Sequence, residues 1–207
     1  MGNPQVVEAL YRAWTERQSG WLTCTAQGRE TKIPLRDGSV VGSALSTGFG
    51  WQGAVPALVQ RGRLQLSQLD ALWARGEADA RDADTLDELG VAPAEAEAAR
   101  VLATIRETAR NAESVRFEPG EIGGGALISG AQVVREAWAT IAGSAPEPAY
   151  FKVNDLSGLS KFEPSEEDAR WVAGFEAWTQ AADATPGQLA LLEVLARSGV
   201  LDSIPAE

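Results

Sequence analysis

The chain has 207 residues, 44% of them apolar and 23% charged, with a net charge of −11, one cysteine and no histidine. This is enough apolar material for one substantial core or two small ones. The lone Cys24 excludes an internal disulfide, and without imidazole there can be no Ser-His-Asp or Cys-His pair and no histidine metal ligand.

The charge is uneven. Residues 1–45 carry five basic and four acidic side chains, whereas Glu77 to Glu97 carries eight carboxylates opposed only by Arg81. Such a surface repels phosphate backbones and anionic lipid, so neither nucleic acid nor a membrane is the expected partner. No apolar run approaches a membrane span, and "MGNPQVVEAL" lacks the basic start and apolar block of a signal peptide. The expected location is the cytoplasm.

In chain order, Asn3-Pro4 has the chemistry of an N-cap followed by a first helical residue, and Val6, Leu10 and Trp14 then recur along one helical face, with a stop at Ser19-Gly20. A β pattern follows: "WLTCTA", Gln27-Gly28, "RETKIPLR", Asp37-Gly38, "SVVGSAL". Asp-Gly between apolar runs is a strong hairpin signal, because both central residues of a type I′ turn need positive φ. Two-residue turns set the register: Leu22 opposite Ile33, Leu35 opposite Val40, Ile33 opposite Gly42. Leu22, Cys24, Ile33, Leu35, Val40 and Ala44 then share the core face, with Trp21, Pro34 and Val41 on the other. Pro34 cannot donate to a ladder, so an irregularity is expected beside it. Cys24 reads as a small buried thiol, and Arg36-Asp37-Gly38 as a hairpin corner.

From Gly53 the period becomes helical. "AVPALVQRG" ends at Gly62; Ser67 and Asp70 have the spacing of a capping box before "QLDALWAR"; "TLDELG" ends at Gly90; and Pro93 starts a long helix with a stripe of Ala98, Val101, Leu102, Ile105 and Ala109. The stretches after Gly62 and Gly90 echo each other weakly at 28 residues. "SVRFEPG" reads as extended. "GEIGGGALISG" has neither phosphate-loop nor dinucleotide spacing and reads as a connector, ahead of a helix carrying Leu127, Ala131, Val134, Trp138 and Ile141. After the linker "GSAPEPA" come a strand at "YFKVND", a helix capped by Ser165 and Asp168 that carries Ala169, Val172 and Phe175, and a last helix from Thr185-Pro186 to Ser198-Gly199.

The ordered series "LYRAWTERQSGWL", "KIPLRDG", "SVVGSAL" resembles the opening of bacterial PATAN-domain proteins. "LVQRGRLQLSQLDALWAR" and "LDELGVAPAEAEAA" are similar to degenerate copies of the N-terminal repeat of secretion and type IV pilus motor ATPases. "VRFEPG" matches the strand that follows in such proteins, and "LSKFEPSEEDARWVAGFEAW" with "LALLEVLARSGVLDS" resembles their small helical, winged-helix-like end. The resemblance implies an interaction role without a catalytic constellation: an adaptor in bacterial signalling, motility or pilus polarity. Its partner would be a signalling protein, small GTPase or pilus-motor component, and self-association is compatible with it. Some motor-ATPase-like repeats bind cyclic di-GMP, but the family's Arg-Leu-Gly positions fall here on Gly53-Ala54-Val55 and its closing Gln on Gly76. In the second copy Arg81 is followed by Asp82-Ala83 and the closing position is Thr104, so the guanidinium and glycine such a ligand needs are mostly missing.

The reading is an α+β fold: an N-terminal helix and three-stranded antiparallel meander over 1–52, a motor-repeat-like helical segment closing on a strand over 53–120, a helix and linker over 121–149, and a winged-helix-like module over 150–207. No enzyme, metal or cofactor is expected. Seven tryptophans are a large supply of interface anchors. The candidate partner-binding residues are Trp21, Arg36 and Asp37 on the meander, with Trp51 and Trp73, and the acidic stretch 77–97 is the competing surface. Two alternatives are a cyclic-dinucleotide or other small-ligand sensor and a winged-helix-like regulator, whose would-be recognition helix offers only Arg197.

Overall fold

The computed structural model describes residues 2–42, 53–76, 83–142 and 149–205. Helix α1 (Pro4–Thr15) starts where Asn3 accepts a hydrogen bond from the Gln5 N–H. It ends at Thr15, short of Ser19-Gly20, because Arg17 takes a positive φ and Gly20 already opens β1 (Gly20–Ala26). Strands β1 and β2 (Arg29–Arg36) and the two-residue β3 (Ser39–Val40) form the antiparallel meander, with both central residues of each turn at positive φ: Gln27 and Gly28, then Asp37 and Gly38.

The register pairs Leu22 with Ile33 and Leu35 with Val40, and buries Leu22, Cys24, Ile33, Leu35 and Val40 on one face. Ala44 lies outside the described residues. Ile33 does not meet Gly42. The Val41 N–H donates to the Pro34 carbonyl at 3.0 Å, but Pro34 has no N–H to return the bond, and β3 stops at Val40. The far side of Val40 is taken by the glycine-rich connector, through Val40 N–H to Ile128 O at 2.9 Å and Leu127 N–H to Val40 O at 2.8 Å.

Four helices follow: α2 (Ala54–Gln60), α3 (Leu66–Arg75), α4 (Ala83–Glu88) and α5 (Pro93–Asn111). Helix α3 begins earlier than its sequence suggests. The capping box is Gln65 with Gln68, which places Ser67 inside the first turn, and Gly76 closes the helix in the left-handed region. Strand β4 (Ser114–Pro119) returns to pair antiparallel with β1, completing a sheet of order β3-β2-β1-β4. Helix α6 runs Gly130–Ala142, so Leu127 precedes it and belongs to the connector's bond with β3.

The C-terminal part has its own small antiparallel sheet, ordered β6-β5-β7, from β5 (Ala149–Val153), β6 (Thr179–Gln180) and β7 (Leu201–Pro205). Between them lie a 3-10 helix (Leu156–Phe162), α7 (Glu166–Ala173), capped by Ser165, and α8 (Pro186–Arg197), capped by the Thr185–Gln188 box. Strand β7 has no period that marks it in sequence; it forms because the chain after Gly199 lies down beside β5.

One apolar core is continuous from α1 and the inner sheet face (Val6, Leu10, Leu22, Ile33) through α6 (Val134, Ala137) to α8 and β5 (Leu192, Leu195, Phe151). A second, smaller core joins α2, α3 and α4 with an alanine stripe of α5: Ala96, Ala99 and Ala103 share it with Val55, Leu58, Leu69 and Leu72, α2 lying on α5 and α3 on α2.

Candidate functional site

Strand parity places Trp21, Pro34 and Arg36 on the outer face of the sheet, opposite the core. Trp21 is half-buried beside the buried Pro34. Arg36 is exposed and its guanidinium donates to the Gly124 carbonyl at 2.5 Å, tying the connector to the hairpin. The Asp37 N–H donates to Ser19 Oγ at 2.9 Å and the Gly38 N–H to the Gln18 carbonyl at 2.8 Å. The turn is thus anchored to the segment after α1 through its backbone, leaving the Asp37 carboxylate exposed. Trp51 lies outside the described residues. Trp73 sits apart from these, on α3 in the smaller core, and is 56% exposed.

Trp73 has one large apolar companion. Leu66, seven residues earlier on the same helix, is 61% exposed. Seven residues is close to two turns, so the pair shares a face about 10 Å apart along the axis. Leu69 and Leu72, on the adjoining strip of the helix, are buried. The apolar strip of α3 is therefore wider than the part that packs, and its margin, Leu66 and Trp73, is presented to solvent.

A second feature could not be read from any single segment. At the end of α1, Tyr11 and Trp14 meet the 3-10 helix and the end of α8 in an open groove of about 680 Å³, lined also by Lys161, Phe162 and Arg197. Trp14 stands edge-on to Phe162 (centroids 5.1 Å apart, 73°) and Tyr11 edge-on to Trp14 (6.0 Å, 73°). The Arg197 guanidinium lies 4.3 Å over the Trp138 ring and 3.8 Å from Glu8. Burial pushes the Tyr11 hydroxyl's pKa up, partly offset by Arg197. Lys161 has no ion-pair partner among the described residues. Two cations against three aromatic rings, in a chain of charge −11, suit an apolar or planar body bearing a negative group. In sequence Trp14 reads as part of a core stripe; only the return of residues 156–162 and 197 makes it a wall.

Two other concave features are smaller. One, of about 340 Å³, mixes Arg61 and Arg135 with Glu136, Glu167 and Asp168, so its charges oppose each other; another, of about 320 Å³, lies beside Trp171 and Phe175. Among the described residues no cluster of Cys, Asp and Glu could hold a metal ion, and no helix is long and apolar enough to cross a membrane. Cys24 is fully buried, and burial pushes its thiol up to about 12, so it is not a ready nucleophile.

No protein-family model matches the chain, no curated protein matches it in sequence, and no solved structure matches its fold.

Proposed function

We propose that this chain is a non-enzymatic, cytoplasmic adaptor that docks a protein partner in bacterial signalling, in the motility and pilus setting that its resemblance to PATAN-domain proteins suggests. The observation that carries the reading is the exposed pair Leu66 and Trp73 on α3. Two large apolar side chains on a convex helix face cannot enclose a small molecule, but they fit an apolar groove on another protein, and tryptophan is a frequent energetic anchor of such contacts.

The test is affinity capture of the tagged chain from the bacterium that encodes it, with Leu66→Ser/Trp73→Ser alongside. Both side chains are exposed, so the variant should melt like the parent. One signalling protein captured by the parent and lost by the variant supports the reading. A partner that survives the double substitution removes α3 as the surface, and the lack of any captured protein removes the adaptor.

The groove at Trp14 favours a second reading, a sensor of a small anionic ligand. A thermal-shift panel of nucleotides and aromatic carboxylates, repeated on Lys161→Ala, tests it; a stabilisation that the substitution abolishes would rank this reading first.

A further inference from the structure

Strand β4 is the outer strand of its sheet, and among the described residues nothing pairs with its free side. The direction of its backbone groups follows from the neighbouring bonds. The Gly120 N–H donates to the Ser19 carbonyl at 3.1 Å, which makes that pair a hydrogen-bonded one, and the register runs Trp21 with Glu118 and Thr23 with Arg116. By the alternation of an antiparallel ladder, the N–H and C=O of Arg116 and Glu118 point to β1, while those of Val115 and Phe117 point outward. The Pro119 carbonyl also points outward, and proline has no N–H to leave unpaired there.

The side chains have a matching pattern. Val115 and Phe117 lie on the core face and are only half-buried, because no further strand covers them. Arg116 and Glu118 lie on the outer face, 3.1 Å apart and both well exposed.

We infer that β4 is a self-pairing edge that joins two copies of this chain, antiparallel, about a two-fold axis at Phe117. In that register the two Phe117 residues exchange N–H and C=O bonds, and each Val115 N–H donates to the partner's Pro119 carbonyl. The proline lies at the end of the paired segment, where its missing N–H leaves only the partner's Val115 carbonyl without a backbone donor. Arg116 stands opposite the partner's Glu118, and Glu118 opposite the partner's Arg116, so opposite charges meet twice. The neighbouring symmetric register, about Arg116, sets two guanidinium groups against each other and is disfavoured. On the core face the two Phe117 rings cover each other, extending the apolar layer from one sheet into the next.

Sedimentation velocity of the full chain over a concentration series tests the pairing. The parent is expected to associate to a dimer, and Arg116→Glu, which sets like charges opposite each other at both sites, to weaken association about tenfold or more. The charge swap Arg116→Glu/Glu118→Arg restores complementarity and should restore the dimer. Both substituted positions are exposed in the monomer, so far-ultraviolet circular dichroism should be unchanged. A parent that stays monomeric at every concentration overturns the inference, as does a dimer indifferent to Arg116→Glu or one that the swap fails to rescue. A strand from a different protein seated on β4 would give the first of these results.

Discussion

Gly28 and Gly38 occupy the same place in two type I′ turns, with φ of 75° and 77°, yet their surroundings differ. A Cβ on Gly28 would meet nothing within 4 Å, whereas one on Gly38 would lie 2.5 Å from the Trp14 Cα and 2.8 Å from the Ala13 carbonyl oxygen. Alanine at either position carries the left-handed cost of about 1–2 kcal/mol, offset by about 0.4–1 kcal/mol because the unfolded chain is less free. Gly28→Ala should therefore cost about 1 kcal/mol. Gly38→Ala adds a clash with backbone, which cannot rotate away as a side chain can; forcing atoms into a packed site costs about 1–3 kcal/mol more. Urea unfolding of both variants, with midpoint and slope fitted together, measures the difference. Equal losses would show that the hairpin corner does not press on α1 and would remove the basis for treating turn and helix as one unit.

Three further outcomes follow from particular contacts. The Thr23 hydroxyl is buried with no hydrogen-bond partner among the described residues, so Thr23→Val should stabilise the fold by about 1 kcal/mol, read from the denaturation midpoint; a loss of stability would mean that the hydroxyl is satisfied. Cys24, its thiol pushed up to about 12 by burial, should resist a disulfide reagent at pH 8 in the native state and react once urea unfolds the chain; fast native labelling would contradict the burial. The Asp155 carboxylate is held below its ordinary pKa by hydrogen bonds from the Ser157 N–H and then its hydroxyl. Its contribution is present above the unfolded pKa and is lost as pH falls through the lowered one, so an NMR titration should find Asp155 below an ordinary aspartate and Ser157→Ala should move it part of the way back.

The meander was legible because its signals are local. Gln27-Gly28 and Asp37-Gly38 fix the turns, period two fixes the faces, and Pro34 marks where the third strand fails. The helix starts at Pro4, Pro93 and Pro186 were legible for the same reason. The start of α3 was not, since Gln65 with Gln68 caps less characteristically than a serine or aspartate. The position of β4 beside β1, the pairing of β7 with β5, and the connector's bond to Val40 depend on segments far apart in the chain, and no local period encodes them. The same limit governs the candidate sites. Trp73 could be named as an anchor from its residue type, but its exposure and its pairing with Leu66 follow from which side of α3 enters the smaller core. The Trp14 groove needed three separate segments.

Helix α5 is built with two unequal faces. Leu102 and Ile105 lock into the main core, while Ala96, Ala99 and Ala103 offer the smaller core a smooth strip of methyl groups, with Arg63–Glu95, Arg106–Gln60 and Arg61–Glu136 contacts around it. A seam of alanines buries little apolar area per residue, so these three helices are expected to open more readily than the sheet. Amide exchange should then be faster at 54–76 than in β1, β2 or α6. Trp73 rides on that unit, and anything that grips it adds its binding energy to this seam. Occupancy of α3 would accordingly register as slowed exchange across α2 and α3 with the sheet unmoved: a built-in gauge whose needle is the helical unit itself.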